Sequence, residues 1–293
     1  MVQSKSMAWR VFNVLNYIIL GLFALLCVFP MVNVLAVSLS DRAAAVGGFV
    51  TVWPVRFTTA SYDLVLKTSL VFSSFVVSVQ RTVIGTALGM AVTILTAYPL
   101  SKTESEFRGR RYITWLLLFA MLFNGGLIPW WLVIRQLGLL NKIWALIIPG
   151  ALSIWNVILL MNFFREIPQD LDDAASVDGA SHWYKLLRVY LPLSTPALAT
   201  LTLFTAVGHW NSWFDGMILI NNVNLQPLQT VMRQIVVNLD LSQMTKDPSQ
   251  IALYSDRSMR AATIIVATVP ILIVYPFIQR YFVAGIRLGA VKG

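Results

Sequence analysis

Few side chains in this 293-residue sequence are equipped for covalent or acid–base chemistry. His182 and His209 are the histidines, and neither belongs to a His/Cys/Asp/Glu cluster at metal-ligand spacing, so no metal site is expected. Cys27 is the single cysteine and lies in an apolar run, which leaves no partner for an intrachain disulfide. There is no Gly-x-x-x-x-Gly-Lys-Ser/Thr phosphate loop and no nucleophile elbow. What remains is a small set of polar side chains inside long apolar runs. Arg81 and Asp215 lie well within such runs. A charge there is expensive and usually faces a cavity or an opposite charge, so they either pair with each other or meet a solute. His209, Trp210, Asn211 and Trp213 combine aromatic faces with an amide, the equipment for stacking on a sugar ring and bonding its hydroxyls. A Trp near the end of a membrane span serves equally as an interface anchor. His209 and Asp215 are six residues apart, on opposite sides of a continuous helix, which argues against a catalytic pair and a membrane enzyme on this run.

The elements that hold these residues are dictated by composition. The chain is 57% hydrophobic and 12% charged, with a mean hydropathy of +0.72. That is the profile of an all-α integral membrane protein. The formal charge of +9 is scattered through the connectors between apolar runs. This pattern sets membrane orientation and excludes a phosphate-binding face, so no nucleic-acid partner is expected.

Six spans are predicted in one transmembrane domain over 1–293, at about 12–38, 69–98, 112–134, 143–164, 196–220 and 261–279. Lys5 and Arg10 precede the first, whose apolar run is far too long for the core of a signal peptide. Lys102, Arg108, Arg110 and Arg111 crowd the connector after the second span and place it in the cytoplasm. Asn124-Gly125-Gly126 and Pro129 interrupt the third run, where backbone freed by a bend must line a cavity or be covered by protein; Asn124 is therefore a candidate pathway residue. External loops are expected over 41–67 and 221–258, and both termini fall in the cytoplasm. In the second loop Leu228, Val231, Met232, Ile235, Val236 and Leu239 recur at helical spacing. They predict an amphipathic helix lying on the membrane or against a partner.

The polar loop 165–195 separates the fourth and fifth spans. Pro168 suits a helix start, and Asp170, Asp172 and Asp173 crowd the turn where the helix dipole favours carboxylates. Leu171, Ala174 and Ala175 form a narrow stripe of mostly small side chains. Gly179 supplies the turn residue, and Ser181 caps a second helix whose Trp183, Leu186, Leu187 and Tyr190 repeat at i, i+3, i+4 and i+7. A plain cytoplasmic connector would share some of these features.

The spaced pattern Asp173-Ala174-Ala175, Asp178-Gly179-Ala180, Leu191-Pro192 and Pro196 resembles the EAA loop of the membrane subunits of bacterial ABC importers. The family's usual Glu is replaced here by Asp173, one methylene shorter, with Asp172 beside it. Trp53-Pro54, Ala97-Tyr98-Pro99-Leu100-Ser101 and the terminal Gly-Ala-Val-Lys-Gly are similar to the sugar-importer branch, including permeases for complex oligosaccharides such as alginate. The resemblance implies a type I importer permease fold with a cytoplasmic coupling helix. It implies an ATPase-coupling role for Asp172, Asp173, Ala174, Ala175, Asp178, Gly179 and Ala180. The implied substrate is an oligosaccharide, with an acidic one such as alginate as the narrower expectation. The implied partners are a second homologous permease subunit in a heterodimer, two ATPase subunits that use ATP and Mg, and an extracytoplasmic solute-binding protein. No cofactor is expected on this chain, which is not itself an enzyme; a non-sugar solute remains an alternative. The substrate pathway is expected along Arg81, Asn124, His209, Trp210, Asn211, Trp213 and Asp215. The binding protein is expected at Leu228, Met232 and Ile235, and the whole in the bacterial inner membrane.

Overall fold

The computed structural model describes residues 7–237 and 255–290. Lys5, residues 238–254 of the second expected external loop, Leu239 among them, and the Val-Lys-Gly end of the tail lie outside the described residues. Among the described residues the chain is helical, with one isolated bridge between Ser40 and Phe57 and no strand. It forms two compact units, residues 1–69 with 234–269 and residues 70–233 with 270–293.

In the first unit, α1 (Met7–Ser38) runs 32 residues. Its apolar stretch has mean hydropathy 2.6 and buries nothing against the chain itself. Such a surface is solvated by lipid or by another helix. The polar segment that follows is fixed by side chains bonding to backbone. Asp41 Oδ1 accepts from Ala44 N at 2.8 Å and caps α2 (Arg42–Gly47). Asn33 Nδ2 donates to the carbonyls of Val50 and Thr51 at 3.2 and 2.7 Å. The hydroxyls of Ser38 and Tyr62, the latter on α3 (Ala60–Lys67), meet at 2.6 Å.

In the second unit, α4 (Ser69–Ser101) is an unbroken 33-residue helix. The third apolar run is two helices, α5 (Arg110–Leu122) and α6 (Leu127–Gln136), set at 117°. The turn between them needs Gly126, whose φ is +87°. Asn124 stabilises that turn by accepting from Gly126 N at 2.9 Å. The fourth run also breaks, which the periodicity did not disclose. α7 (Trp144–Ile147) and a 3₁₀ turn through Pro149 and Gly150 meet α8 (Ile154–Arg165) at 47°. Ser153 caps α8, its Oγ accepting from Asn156 N at 3.4 Å.

Next, α9 (Gln169–Val177) ends at Gly179, where φ is +74°. Ser181 Oγ accepts from Tyr184 N and caps α10 (His182–Lys185). A π turn over Leu186–Tyr190 and α11 (Leu191–Leu193) lead to α12 (Thr195–Asn211) through an 83° bend. The expected four-residue stripe is split there: Leu186 and Tyr190 are buried, whereas Trp183 and Leu187 are exposed. Helix α12 stops at Asn211, within the expected fifth span of 196–220. Ser212 is extended, and α13 (Phe214–Leu219) starts beyond it as a separate helix. α14 (Leu228–Val237) follows, and α15 (Asp256–Ala290) is a 35-residue helix carrying the sixth apolar run; the two units divide each of these helices between them. Among the described residues two helices are each long and apolar enough to cross a membrane, and three bent pairs supply further crossings if each is one span.

Among the described residues, two clusters form much of the core of this unit. Tyr98, Leu160, Phe164, Leu186 and Tyr190 pack together at one end, with Tyr190 edge-on to Tyr98 and Phe164 at 5.0 and 5.5 Å. Ile134, Leu146, Leu219 and Ile220 pack at the other. α14 is the amphipathic helix that the spacing predicts, but its stripe faces inward. Leu228, Val231 and Met232 are at most 3% exposed. Leu228 N donates to Ser78 Oγ at 2.7 Å and Thr230 Oγ1 donates to Trp213 O at 2.8 Å. Leu228 and Met232 are therefore unavailable to a binding protein, and Ile235 is half-buried.

The close seat of α14 on α13 requires Gly216. A Cβ there would lie 2.2 Å from Thr230 Oγ1 and 2.8 Å from Pro227 Cδ. Gly216→Val should lower stability by about 1–3 kcal/mol through overpacking. The readout is the melting temperature of the purified complex; an unchanged value would refute this seating.

Candidate functional site

Two places concentrate polar side chains in the second unit. The first is a cavity of about 420 Å³, within the ~300–1,000 Å³ range of small-ligand pockets. It opens where helices break. Pro149, Gly150 and Ser153 come from the α7–α8 break, and Ser212 and Asp215 from the α12–α13 break. Freed backbone lining a cavity is what an apolar surround permits. Arg81, Trp130, Asn156, Phe204, Thr205 and His209 complete most of the wall.

Arg81 and Asp215 form an ion pair inside this wall. Arg81 Nη1 donates to Asp215 Oδ1 and to Ser212 O, each at 3.2 Å, and Nη2 donates to Asp215 Oδ2. Ser212 Oγ and Gly216 N donate to the same carboxylate at 2.8 and 2.9 Å. Arg81 is 3% exposed. The pair joins the middle of α4 to the break after α12, and the two charges on the lining cancel. Asn156 Nδ2 donates to Thr205 Oγ1 at 3.1 Å, linking α8 to α12. The ring of His209 lies against the backbone of α4 at Gly85, where a Cβ would meet it at 2.7 Å.

Of the residues expected along the pathway, Arg81, His209 and Asp215 line the cavity. His209 and Asp215 share its wall, because the helix stops at Asn211 and the opposite-sides argument fails with it. Trp210 points away from the cavity and packs edge-on to Phe75 at 6.1 Å. Trp213 is covered by the Arg233 guanidinium, 3.5 Å from its ring centroid. Asn211 and Asn124 are exposed outside the cavity, the latter holding its turn. Trp130, Ser153, Asn156, Phe204 and Thr205 went unread. Asn156, an amide in the middle of a span, was the available signal.

The second place is α9. Asp173, Ala174, Asp178 and Gly179 are exposed, Ala175 and Ala180 are half-buried, and Leu171 and Val177 are 45% and 88% exposed. Asp172 is the buried residue of the helix. Its Oδ1 accepts from Lys102 Nζ at 2.6 Å and from the Tyr190 hydroxyl at 3.0 Å, and its Oδ2 accepts from Lys185 Nζ at 3.0 Å. Burial alone would raise the Asp172 carboxyl, but the bonds from Lys102, Lys185 and Tyr190 outweigh it and hold it below the usual carboxylate range. The same contact, added to burial, pushes the Tyr190 hydroxyl up. Stability from a depressed carboxylate is present above the unfolded value of about 3.9 and is lost only as pH falls through the lower folded value. Asp172 thus stays charged through the neutral range and faces inward, apart from the exposed surface of α9.

Comparison with known proteins places these features. The family model described as "Binding-protein-dependent transport system inner membrane component" matches residues 107–288. The polygalacturonan/rhamnogalacturonan transport system permease protein YtcP of Bacillus subtilis strain 168 is 40% identical over 97% of this chain and 99% of its own length. The trehalose/maltose transport system permease protein MalG of Thermococcus litoralis is 28% identical over 93% of this chain and 94% of its own. Among solved structures, a chain of a bacterial ABC transporter involved in the import of the acidic polysaccharide alginate superposes with a TM-score of 0.89. It is 34% identical, and the match covers 96% of this chain and all of that one.

Breaking the ion pair in the cavity wall should cost about 3–5 kcal/mol, because one buried charge is left without its partner. Asp215→Asn is expected to lower the yield of assembled complex in the absence of any solute. The double variant Arg81→Met/Asp215→Leu should restore it. Full yield and an unshifted melting temperature in Asp215→Asn would sink the structural role of the pair.

Proposed function

The chain belongs to the family of binding-protein-dependent transport system inner membrane components, and from that premise we propose that its cavity serves the passage of an acidic oligosaccharide. It is a permease subunit of a sugar ABC importer, and not itself an enzyme. The family works with a partner permease, an ATPase and a solute-binding protein. In this proposal the partner permease is a different chain, two ATPase subunits dock at the coupling helices, and both termini of this chain are cytoplasmic. ATP and Mg are used by the ATPase subunits, and this chain holds neither.

The observation that carries the proposal is the surface of α9. Asp173, Ala174, Asp178 and Gly179 stand exposed beside Leu171 and Val177, and no described residue covers them. Small side chains let a second protein approach the helix closely, and two uncovered apolar residues favour an occupant. Support for an acidic saccharide comes from the relatives, one named for polygalacturonan and rhamnogalacturonan and one described as importing alginate. The cavity adds a division of labour. Its two formal charges are committed to each other, so Arg81 does not offer a free cation to a uronate carboxylate. Asn156, Thr205, Ser153 and His209 instead offer hydrogen bonds suited to hydroxyls. Selection for negative charge then falls to the partner permease or the binding protein.

Two measurements test this. Reconstituted with its partners in proteoliposomes, the importer should take up oligogalacturonate in an ATP-dependent manner and prefer it to a neutral oligosaccharide of equal length; uptake of the neutral sugar alone would overturn the acidic assignment. Ala174→Trp should block close approach of the ATPase and cut stimulation of ATP hydrolysis by the loaded binding protein at least about fivefold. Normal co-purification of the ATPase together with normal stimulation would remove the coupling role of this face.

A further inference from the structure

We propose that Asp172 is the positioning residue that converts displacement of α9 into displacement of α4, so that the coupling helix and the cavity wall move as one piece. The proposal rests on α9 being the coupling helix. A short helix docked by the hydrophobic effect would bury Leu171 or Val177; here both are exposed and the buried residue is a carboxylate. The attachment is therefore ionic and directional, and it fixes register where apolar packing would allow sliding.

Three elements meet at that carboxylate. Lys102 follows the last residue of α4, and its ammonium donates to Asp172 Oδ1 at 2.6 Å and to the Tyr190 hydroxyl at 2.8 Å. The Tyr98 and Tyr190 rings lie 5.2 and 4.6 Å from the same nitrogen. Lys185, at the end of α10, donates to Asp172 Oδ2 at 3.0 Å and to Ser176 Oγ at 2.5 Å. Lys102, Asp172 and Lys185 are 5–7% exposed, and the Glu106 carboxylate, 3.8 Å from Lys102, balances the second positive charge. Seventy residues of sequence separate Asp172 from Lys102, so the tie is tertiary.

The other partner in the tie, α4, has no break over its 33 residues, in contrast to the runs that form α5–α6, α7–α8 and α12–α13. Arg81 lies on α4 about 31 Å from Lys102 at 1.5 Å per residue, bonded to Asp215 and Ser212 in the cavity wall. One rigid helix is thus ionically fixed along its length, to the α12–α13 break, and just past its C-terminal end, to α9. A shift imposed on α9 has a stiff path to the cavity, whereas the bent pairs can absorb a shift at their breaks.

The test uses the complete complex in proteoliposomes, with stimulation of ATP hydrolysis by the loaded binding protein expressed per bound ATPase. Asp172→Asn keeps the volume and removes the charge; Tyr190→Phe keeps the aromatic packing and removes one hydroxyl. We expect about a fivefold or greater loss of stimulation in Asp172→Asn and about a threefold loss in Tyr190→Phe, with the ATPase still bound. Sugar moved per ATP should fall in parallel. Asp172→Glu, which keeps the charge, should recover part of the coupling, a result that lost stability alone would not produce. Full stimulation per bound ATPase in Asp172→Asn overturns the proposal. If Asp172→Asn does not assemble, full stimulation in Tyr190→Phe overturns it instead. Ala174→Trp separates the two readings: if it uncouples while both tie variants remain fully stimulated, the docking face stands and the tie falls. If Ala174→Trp has no effect, the coupling reading fails first.

Discussion

A helix in lipid gains little by hiding its apolar face, because the surrounding chains of hydrocarbon are as apolar as leucine. Position must then be set by contacts that lipid cannot imitate. In this chain two buried polar ties meet that need: the Asp172 carboxylate shared among Lys102, Lys185 and Tyr190, and the Arg81–Asp215 pair with Ser212. Each joins elements far apart in sequence and balances its own charge. A charge left alone in either place would cost several kilocalories per mole, so partners that shift must shift together.

The same surround explains why the broken helices and the cavity coincide. An interrupted helix exposes carbonyls and amides that lipid cannot bond. The α7–α8 break at Pro149–Ser153 and the α12–α13 break at Ser212 both line one open cavity. There Arg81 bonds the freed carbonyl of Ser212, and Asn156 and Thr205 add polar side chains to the lining. Polar lining and helix breakage are one feature seen from two sides. A solute rich in hydroxyls would find in that space the hydrogen-bonding partners that the rest of the span denies it.

Division between the two polar places also clarifies what each acid does. Asp172 and Asp173 are adjacent, yet one is buried in a lysine pair and the other is exposed. Adjacent helical residues point about 100° apart, so a single helix presents one carboxylate inward to hold it and another on its exposed surface. The shorter Asp in place of the family's Glu at 173 therefore affects the outward surface and leaves the inward anchor intact.

Much of this protein is legible in its sequence. Hydropathy runs of span length identify a helical membrane protein, the Gly179 turn and the Ser181 cap are where the spacing predicts them, and α14 follows its apolar stripe. These are local properties, set by backbone sterics and by side chains a few residues apart. The direction in which the α14 stripe points was not local: Leu228 and Met232 turn inward because Ser78 and the space above Gly216 receive that helix. Trp210 and Trp213 looked equipped for a sugar, yet Phe75 and Arg233 occupy their rings. His209 and Asp215 were separated by helical arithmetic and brought together by a break at Ser212. Lys102 and Lys185 read as ordinary basic residues of connectors, and only the fold placed both ammonium groups on one carboxylate. Sequence determines what a residue can bond and which way its own helix runs. Its partner is decided by long-range packing, because a buried charge accepts whichever opposite charge the tertiary structure delivers.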